Sequence, residues 1–183
     1  METDIETAIE ILTQGGVGVL ATDTLYGLVG SALSSETVDR IYALKQRNHT
    51  KPLIVLIAQI EDVEQFGVIL SEKLIEQLKQ YWPGPYSILL PTIDDQFEYI
   101  HRSTDQIAFR LPDKPELIEV LMQTGPLVAP SANMEGMPPA TTLKEARNYF
   151  GTDVDFYVDG GERKNKASTL LSFDGENVVI ERE

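Results

Sequence analysis

The chain has 183 residues and a formal charge of −14 at neutral pH, because 29 acidic residues outnumber 15 lysines and arginines. This charge argues against a protein that coats nucleic acid or binds an anionic membrane surface, since both tasks favour a basic chain. Cysteine is absent, which excludes thiolate catalysis, zinc held by cysteines and a disulfide framework. We expect a single domain over residues 1–183, large enough to bury a core without a metal or a disulfide.

No segment of the sequence has the pattern of a targeting signal or a membrane span. The chain starts M-E-T-D, without the basic start and apolar run of a signal peptide. Its apolar runs, such as residues 53–58, fall far short of the ~20 residues that cross a bilayer. We therefore predict a soluble, cytoplasmic protein.

Predicted helices and strands alternate along the chain. Apolar residues at helical spacing predict helices over residues 3–14, 34–45, 61–66, 71–81, 115–123 and 142–150. Apolar or alternating runs predict strands over residues 17–21, 53–58, 86–91, 107–111, 127–129, 154–158, 168–173 and 177–182. Because the two kinds of element interleave, we predict an α/β (α+β) layered domain with a mixed sheet.

Capping and turn residues indicate where several elements end. The Gly-Gly pair at 15–16 ends the first helix, and the Ser-Ser pair at 34–35 caps the second. Thr142 followed by Glu145 has the pattern of a capping box, in which each side chain bonds the other residue's backbone N–H. The Asp-Gly pair at 174–175 marks the last turn.

One window of the sequence departs from the acidic character of the rest. Residues 40–60 contain no Asp or Glu but hold several cations. One interpretation is that cations near a helix C-terminus satisfy its carbonyl groups and dipole. The other is an anion site, because Lys and Arg two residues apart at a helix end both reach one phosphate group. The basic residues concerned are Arg40, Lys45, Arg47, His49 and Lys51.

Polar residues follow two of the predicted strands. T-D-T at residues 22–24 follows the first strand, and S-A-N at residues 131–133 follows the short strand near 128. Strand ends in α/β sheets are common ligand sites, but these residue types also form turns by bonding their own backbone. Arg110 lies inside an apolar strand and therefore needs a fixed anionic partner, either an internal carboxylate or the carboxylate of a ligand.

Familiar nucleotide and metal signatures do not supply a site. G-V-G-V-L-A at residues 16–21 matches a dinucleotide fingerprint but lies inside a predicted strand, and the sequence has no Walker loop. His49 and His101 lack the spacing of metal ligands. A nucleotide site in this chain must therefore be built from other residues.

Several stretches, taken together, resemble the YrdC/TsaC family of threonylcarbamoyl-AMP synthases in its short, single-domain form. The family patterns are P-T-[DE]-T-x-Y-G-L, K-x-R-x4-P-L, W-P-G-P, A-V-R, S-A-N-x-S-G and S-T-V-V. Their counterparts here lie at residues 22–28, 45–53, 82–85, 108–110, 131–136 and 168–171. Each motif is weak alone, but their order and spacing over residues 16–182 make the resemblance specific.

The resemblance implies a fold and a reaction. The fold is an open, twisted, mixed sheet flanked by helices, with a concave basic cavity and without the additional C-terminal domain of longer members. The reaction converts L-threonine, bicarbonate and ATP into threonylcarbamoyl-AMP and pyrophosphate, with Mg²⁺ accompanying ATP and no protein ligand motif for the metal. A partner transferase then moves the threonylcarbamoyl group onto tRNA, so tRNA takes part indirectly.

The resemblance also implies roles for individual residues. Lys45 and Arg47 are implied as catalytic cations that stabilise charge on the phosphoryl oxygens. L-threonine is expected at Thr24, Arg110, Ala129 and Ser168. ATP is expected at Arg47, Lys51, Gln106, Ser131, Asn133, Pro139 and Arg182. The remaining expected cavity residues are Thr22, Tyr26 and Leu56, the last standing where many members have a His.

Two other functions are alternatives. The basic window suits a non-catalytic RNA-binding module, although the charge of −14 and the scarcity of aromatic residues suited to stacking oppose it. A carbamoyl-transfer domain, like the YrdC-like part of hydrogenase-maturation carbamoyltransferases, is the second alternative. Dependence of ATP consumption on threonine distinguishes the synthase from the carbamoyl-transfer domain, and a tRNA-binding titration distinguishes it from the RNA-binding module.

Overall fold

The computed structural model describes residues 1–175 and 177–183. The helices are α1 (Ile5–Thr13), α2 (Ser35–Lys45), α3 (Glu72–Leu78), α4 (Glu98–His101), α5 (Pro115–Thr124) and α6 (Leu143–Phe150). The strands are β1 (Gly18–Ala21), β2 (Tyr26–Ser31), β3 (Ile54–Leu56), β4 (Tyr86–Pro91), β5 (Gln106–Arg110), β6 (Leu127–Val128), β7 (Phe156–Tyr157), β8 (Thr169–Asp174) and β9 (Asn177–Arg182). Two 3₁₀ segments cover Ile60–Phe66 and Asp95–Phe97. In the described residues, no helix is long and apolar enough to cross a membrane.

The described strands form one nine-stranded mixed sheet in the order β7-β1-β2-β6-β3-β5-β4-β8-β9. The pairs β1–β7, β3–β5 and β4–β8 are parallel, and the other neighbouring pairs are antiparallel. In the β3–β5 pair, Leu56 lies beside Arg110. The predicted α/β class with an open mixed sheet flanked by helices is confirmed.

Apolar side chains pack on both faces of the sheet. Val19 and Val55 belong to one core cluster together with residues of α2 and α6. Their neighbours Leu20 and Leu56 belong to a second cluster with residues of α1 and α5. This division follows from the two-residue period of a strand, which turns successive side chains to opposite faces.

Strand β2 is the main element that the sequence patterns do not predict. It contains Gly27 and Gly30, and glycine is depleted in strands. A Cβ added at Gly30 would lie 2.5 Å from Thr37 Cγ2 of α2. The glycine is therefore required where the helix packs against the strand, and the same glycine weakens the local strand signal.

The predicted helix ends are largely confirmed. Ser34 Oγ accepts a hydrogen bond from the Thr37 N–H at 3.2 Å, as expected of an N-cap. At α6 only half of the expected capping box forms. Thr142 Oγ1 accepts from the Glu145 N–H, but the Glu145 carboxylate accepts from the N–H of Thr141 instead of Thr142. The segment predicted as a helix over 61–66 is a 3₁₀ helix.

Candidate functional site

A cavity of about 460 Å³ opens on the face of β4, β5 and β8. Gln106, Ala108 and Arg110 line it because alternate residues of β5 share one face. The described lining residues include four cations and no Asp or Glu. The cavity lining therefore differs from the rest of the chain, whose formal charge is −14. Its positive electrostatic potential favours the binding of anions. The lining cations are Arg47, Lys51, Arg110 and Arg182.

Most residues that the sequence predicts for the site line this one cavity. They come from the β1–β2 turn, the loop after α2, strand β5, the loop after β6 and both ends of the β8–β9 hairpin. The lining residues among those predicted are Thr22, Thr24, Tyr26, Arg47, Lys51, Gln106, Arg110, Ala129, Ser131, Ser168 and Arg182.

The structure places four predicted site residues outside the lining of the cavity. Leu56 is fully buried in the cluster under α5, one pleat beyond the lining residue Ile54 on the same strand. Pro139 is exposed on the segment that leads to α6. Lys45 and Asn133 lie behind the cavity wall. For Leu56 the expectation of a cavity position is corrected, because α5 covers that part of the sheet face.

Lys45 also differs from the expected phosphate-facing cation. The side chain is buried, and its Nζ donates to the Ser131 carbonyl at 2.5 Å and the Asn133 carbonyl at 2.6 Å, with Asn133 Oδ1 at 3.3 Å. The pKa of Lys45 is lowered to about 7, mainly by burial and also by the positive charge of Arg47, while the negative charge of Glu135 opposes the shift. Lys45 therefore has a structural role, but it ties the end of α2 to the loop that carries Ser131 and does not bond the carbonyl groups of its own helix.

Asn133 completes this internal scaffold. Its Oδ1 accepts from Ser131 Oγ at 2.6 Å, and its Nδ2 donates to the carbonyls of Met134 and Met137 at 2.9 and 2.7 Å. All of these partners lie on one loop. Asn133 thus holds the loop in a conformation that leaves Ser131 at the cavity wall.

Arg47 and Lys51 face the cavity from an exposed loop after α2. Arg47 Nη2 donates to the Pro52 carbonyl at 2.9 Å, which orients the guanidinium. Lys51 Nζ forms an ion pair with Glu135, and the Glu135 carboxylate also accepts from the Asn48 N–H at 2.6 Å. The Glu135 carboxylate thus occupies the two donors, Lys51 Nζ and the Asn48 N–H, that a bound anion would use.

The T-D-T segment forms the turn between β1 and β2. Thr22 N donates to the Leu25 carbonyl at 2.9 Å, and Thr22 Oγ1 accepts from the N–H groups of Thr24 and Leu25 at 3.2 and 3.3 Å. The hydroxyls of Thr22 and Thr24 are 3.2 Å apart. The segment therefore is the self-bonded turn that the sequence allows, and it also presents both threonines to the cavity.

Arg110 has an internal carboxylate as its partner. Its Nη2 lies 3.1 Å from Asp23 Oδ1, and the side chains of Arg110 and Asp23 are only 4% and 6% exposed. The orientation is that of an ion pair without a hydrogen bond, because both Asp23 oxygens and Arg110 Nε lack hydrogen-bond partners. Burial lowers the pKa of Arg110, and the negative charge of Asp23 opposes this.

The β8–β9 hairpin closes the far side of the cavity. Ser168 is buried, and its hydroxyl is 2.9 Å from that of Ser87 on β4. Arg182 Nη2 donates to the Ser168 carbonyl at 3.2 Å. These contacts fix Ser168 and Arg182 relative to β4.

A loop over residues 159–167 joins β7 to β8 beside the cavity. The Tyr26 hydroxyl accepts from the Gly160 N–H at 3.0 Å and lies 2.9 Å from the Gly161 carbonyl and 3.0 Å from Asp159 Oδ1. Asn165 Nδ2 donates to the Asp23 carbonyl at 3.0 Å. The loop is thereby tied to the β1–β2 turn.

Sequence patterns miss two acidic residues of this region, Asp23 and Glu135. Asp23 stands in the T-D-T motif without an assigned role. Glu135 stands where the pattern S-A-N-x-S-G has its second Ser, a local signal that could have marked it. Within the described residues, no three His, Asp or Glu side chains gather as a metal site.

Comparisons with known proteins show which family the chain belongs to. The Sua5/YciO/YrdC family model, described as "Telomere recombination", matches residues 10–183. The threonylcarbamoyl-AMP synthase of Bacillus subtilis is 32% identical over 174 residues, which cover 93% of this chain and 50% of that protein. The enzyme of the same name from Pseudomonas paraeruginosa is 33% identical over 162 residues, with 87% and 88% covered.

A solved structure shares the fold. The crystal structure of Pyrococcus abyssi Sua5 complexed with L-threonine superimposes with a TM-score of 0.88 at 29% identity, covering 96% of this chain and 52% of that one. The chain thus spans about half the length of the Bacillus and Pyrococcus proteins and most of the Pseudomonas protein.

Proposed function

Because this chain belongs to the Sua5/YciO/YrdC family, we propose that it is a threonylcarbamoyl-AMP synthase. The reaction joins L-threonine, bicarbonate and the AMP part of ATP, and it releases pyrophosphate and water. The observation that carries the proposal is the cavity lined by four cations and, among its described residues, by no acid. Each substrate is an anion or carries a carboxylate, so such a cavity attracts all of them.

The threonine substrate is proposed to bind against strand β5. Arg110 offers guanidinium N–H groups to the threonine carboxylate, an arrangement that gives strong, charge-assisted hydrogen bonds. Thr24 and Ser168 line the same cavity, and their hydroxyls suit the amino acid's polar groups. Ala129 lines the cavity directly after β6, and its small methyl side chain leaves room for the ligand.

The nucleotide is proposed to bind toward the loop after α2. The threonine amine and bicarbonate form a carbamate and release water; a carbamate oxygen then attacks the α-phosphorus, the bond to pyrophosphate breaks, and negative charge grows on the phosphoryl oxygens. Arg47 and Lys51 are the cations available to stabilise that charge. Ser131, Gln106 and Arg182 are proposed to contact the rest of ATP.

Lys45, Asn133 and Pro139 act differently in this proposal. Lys45 and Asn133 hold the loop that presents Ser131, so they position the site without touching ATP. Pro139 is exposed beyond that loop, and we assign it backbone contact only. ATP enters as its Mg²⁺ complex, with the metal on the phosphate oxygens, and the product passes to a tRNA-modifying transferase.

The first test is pyrophosphate release from Mg²⁺-ATP with and without L-threonine and bicarbonate. Release that requires both substrates supports the synthase. Release without threonine would indicate a different acceptor, such as that of a carbamoyl-transfer domain. No release from the folded protein, with salt-sensitive tRNA binding instead, would favour the RNA-binding module.

Arg47 supplies the matched mutational test. We expect Arg47→Ala to lower the rate of threonine-dependent pyrophosphate release by on the order of 10²–10³, because a preplaced donor to the transition state is lost. Arg40→Ala is the control, since Arg40 belongs to the same basic window but pairs with Asp155 outside the cavity. Full activity of Arg47→Ala would contradict the phosphate assignment.

A further inference from the structure

We propose that Asp23 is a positioning residue that holds Arg110 in the orientation that binds the carboxylate of the amino-acid substrate. The inference rests on the proposed function and concerns the threonine side of the cavity. Asp23 lies in the β1–β2 turn, and Arg110 ends strand β5. The two residues meet only through the tertiary fold.

Because the ion pair is buried, the attraction of Asp23 restricts the orientation of the Arg110 guanidinium strongly. The side chains are 4% and 6% exposed, so solvent screens the charges little. An unrestrained arginine side chain samples many rotamers, and losing that freedom has an entropic cost whenever a ligand must fix the side chain. A partner that fixes the guanidinium before the ligand arrives removes that cost from binding.

Asp23 itself is out of reach of a substrate in the cavity. Both carboxylate oxygens are buried, and Asp23 is absent from the described residues that line the cavity. Arg110 is one of the lining residues. We therefore assign Asp23 an effect on the substrate through the guanidinium and not through direct contact.

The Arg110 guanidinium keeps donors for a ligand after it has paired with Asp23. The ion pair uses Nη2, and Nε has no hydrogen-bond partner. A guanidinium carries five N–H donors, and buried polar groups of native proteins almost always find partners. Because Arg110 lines the cavity and its pair with Asp23 uses only Nη2, the guanidinium retains donors for an anionic ligand bound there.

The turn around Asp23 is built to resist movement. Thr22 Oγ1 bonds the backbone on the other side of Asp23, and Asn165 Nδ2 donates to the Asp23 carbonyl. Lys114 Nζ donates to the neighbouring Ala21 carbonyl at 2.7 Å. Lys114 is therefore a second cation close to Asp23, and the negative charge of Asp23 acts on it as well.

The test compares Asp23→Asn and Asp23→Glu with the wild-type protein. We expect Asp23→Asn to raise the KM for threonine by on the order of 10²-fold, since one partner of a buried charge pair is lost. The KM for ATP should change by less than about threefold, because ATP does not use Arg110. Asp23→Glu restores the carboxylate and should recover part of the threonine affinity.

Asp155→Asn is the matched control. Asp155 also pairs with an arginine, Arg40, but outside the cavity. It should lower the thermal midpoint without changing the KM for threonine. Equal increases in the KM for threonine and for ATP in Asp23→Asn would show a general structural role and overturn the proposal, as would unchanged kinetics.

A second measurement keeps the two proposals apart. If the wild-type protein releases no threonine-dependent pyrophosphate, the proposed function is wrong, and the pair is then judged by NMR of the arginine side chains. The Arg110 Nε–H signal, assigned through Arg110→Lys, should be sharp and slowly exchanging in the wild-type protein and broadened in Asp23→Asn. Identical Arg110 signals in both proteins would overturn the positioning role.

Discussion

Two ion pairs bring cations to the same cavity, and they differ in burial. Arg110 and Asp23 are 4% and 6% exposed and lie on a strand and a hairpin turn, whereas Lys51 and Glu135 are 56% and 26% exposed and lie on loops. Solvent screening and side-chain entropy remove most of the benefit of an exposed pair. A buried pair resists disruption because breaking it leaves an uncompensated charge. The Arg110 side of the cavity is therefore fixed in advance, and the Lys51 side is adjustable.

The largest expected effect comes from breaking the buried pair at Arg110. Arg110→Met leaves the buried Asp23 carboxylate without its ion-pair partner. We expect the free energy of unfolding to fall by about 3–5 kcal/mol and threonine-dependent pyrophosphate release to be lost. Urea denaturation and the release assay measure the two effects.

The double variant Arg110→Met with Asp23→Leu separates stability from function. Replacing a buried pair by apolar side chains is often neutral for stability, so most of the lost unfolding free energy should return. Activity should stay absent, because the threonine carboxylate has no cation. If Arg110→Met alone is as stable as the wild-type protein, the pair does not behave as a buried one.

An intermediate effect is expected at Lys45, which is buried like Arg110 but bonds to carbonyl oxygens. Lys45→Met removes the tie between α2 and the loop that carries Ser131. We expect pyrophosphate release to slow by on the order of 10²-fold, since small displacements of a binding group have effects of that size. Asn133→Ala should slow it similarly, and normal activity of both variants would contradict the scaffold.

The lowered pKa of Lys45 also predicts a pH dependence of stability. The folded-state pKa is about 7, against an ordinary value of 10.5. Between these values the unfolded chain binds more protons than the native one, so stability rises with pH. The unfolding free energy of the wild-type protein minus that of Lys45→Met should therefore increase from pH 7 to pH 9 and stay level below pH 6. A decrease over the upper range would refute the lowered pKa.

The smallest effect is expected at the exposed pair. Glu135→Gln frees Lys51 and the Asn48 N–H for phosphate oxygens. We expect the KM for ATP to fall, by at most about fivefold because the pair is exposed, with little change in the thermal midpoint. Glu2→Gln, which disrupts an exposed pair with Arg147, is the control and should leave the KM for ATP unchanged. A higher KM for ATP in Glu135→Gln would mean that Glu135 orders Lys51 for binding.

The features that the sequence predicts depend on local interactions, and the features that it does not predict depend on interactions between distant segments. The end of α1, the cap of α2 and the strand bounds of β4 follow from residues within a few positions of each other. The motif order likewise predicts that Thr24, Arg47 and Arg110 share one site, and the structure brings them to one cavity. The roles of individual residues toward threonine and ATP stay predictions.

Three features depended on packing between distant segments. Strand β2 is weak by local propensity, and its Gly30 makes sense only against α2. Leu56 has the pattern of any buried strand residue, and the position of α5 decides that it lies outside the cavity. Glu135 lies four residues after the loop's Ser131, yet its partners Lys51 and Asn48 come from the loop after α2.

The sequence by itself determined the capped helices, most of the strands, the mixed α/β class and many of the residues that gather at the cavity. The tertiary structure decided the partners of the charged side chains: Lys45 turned inward to carbonyl oxygens, and Arg110 paired with Asp23. The physical reason is range. Propensity, capping and side-chain period act over a few residues, whereas burial and charge pairing depend on which distant segments the sheet places side by side.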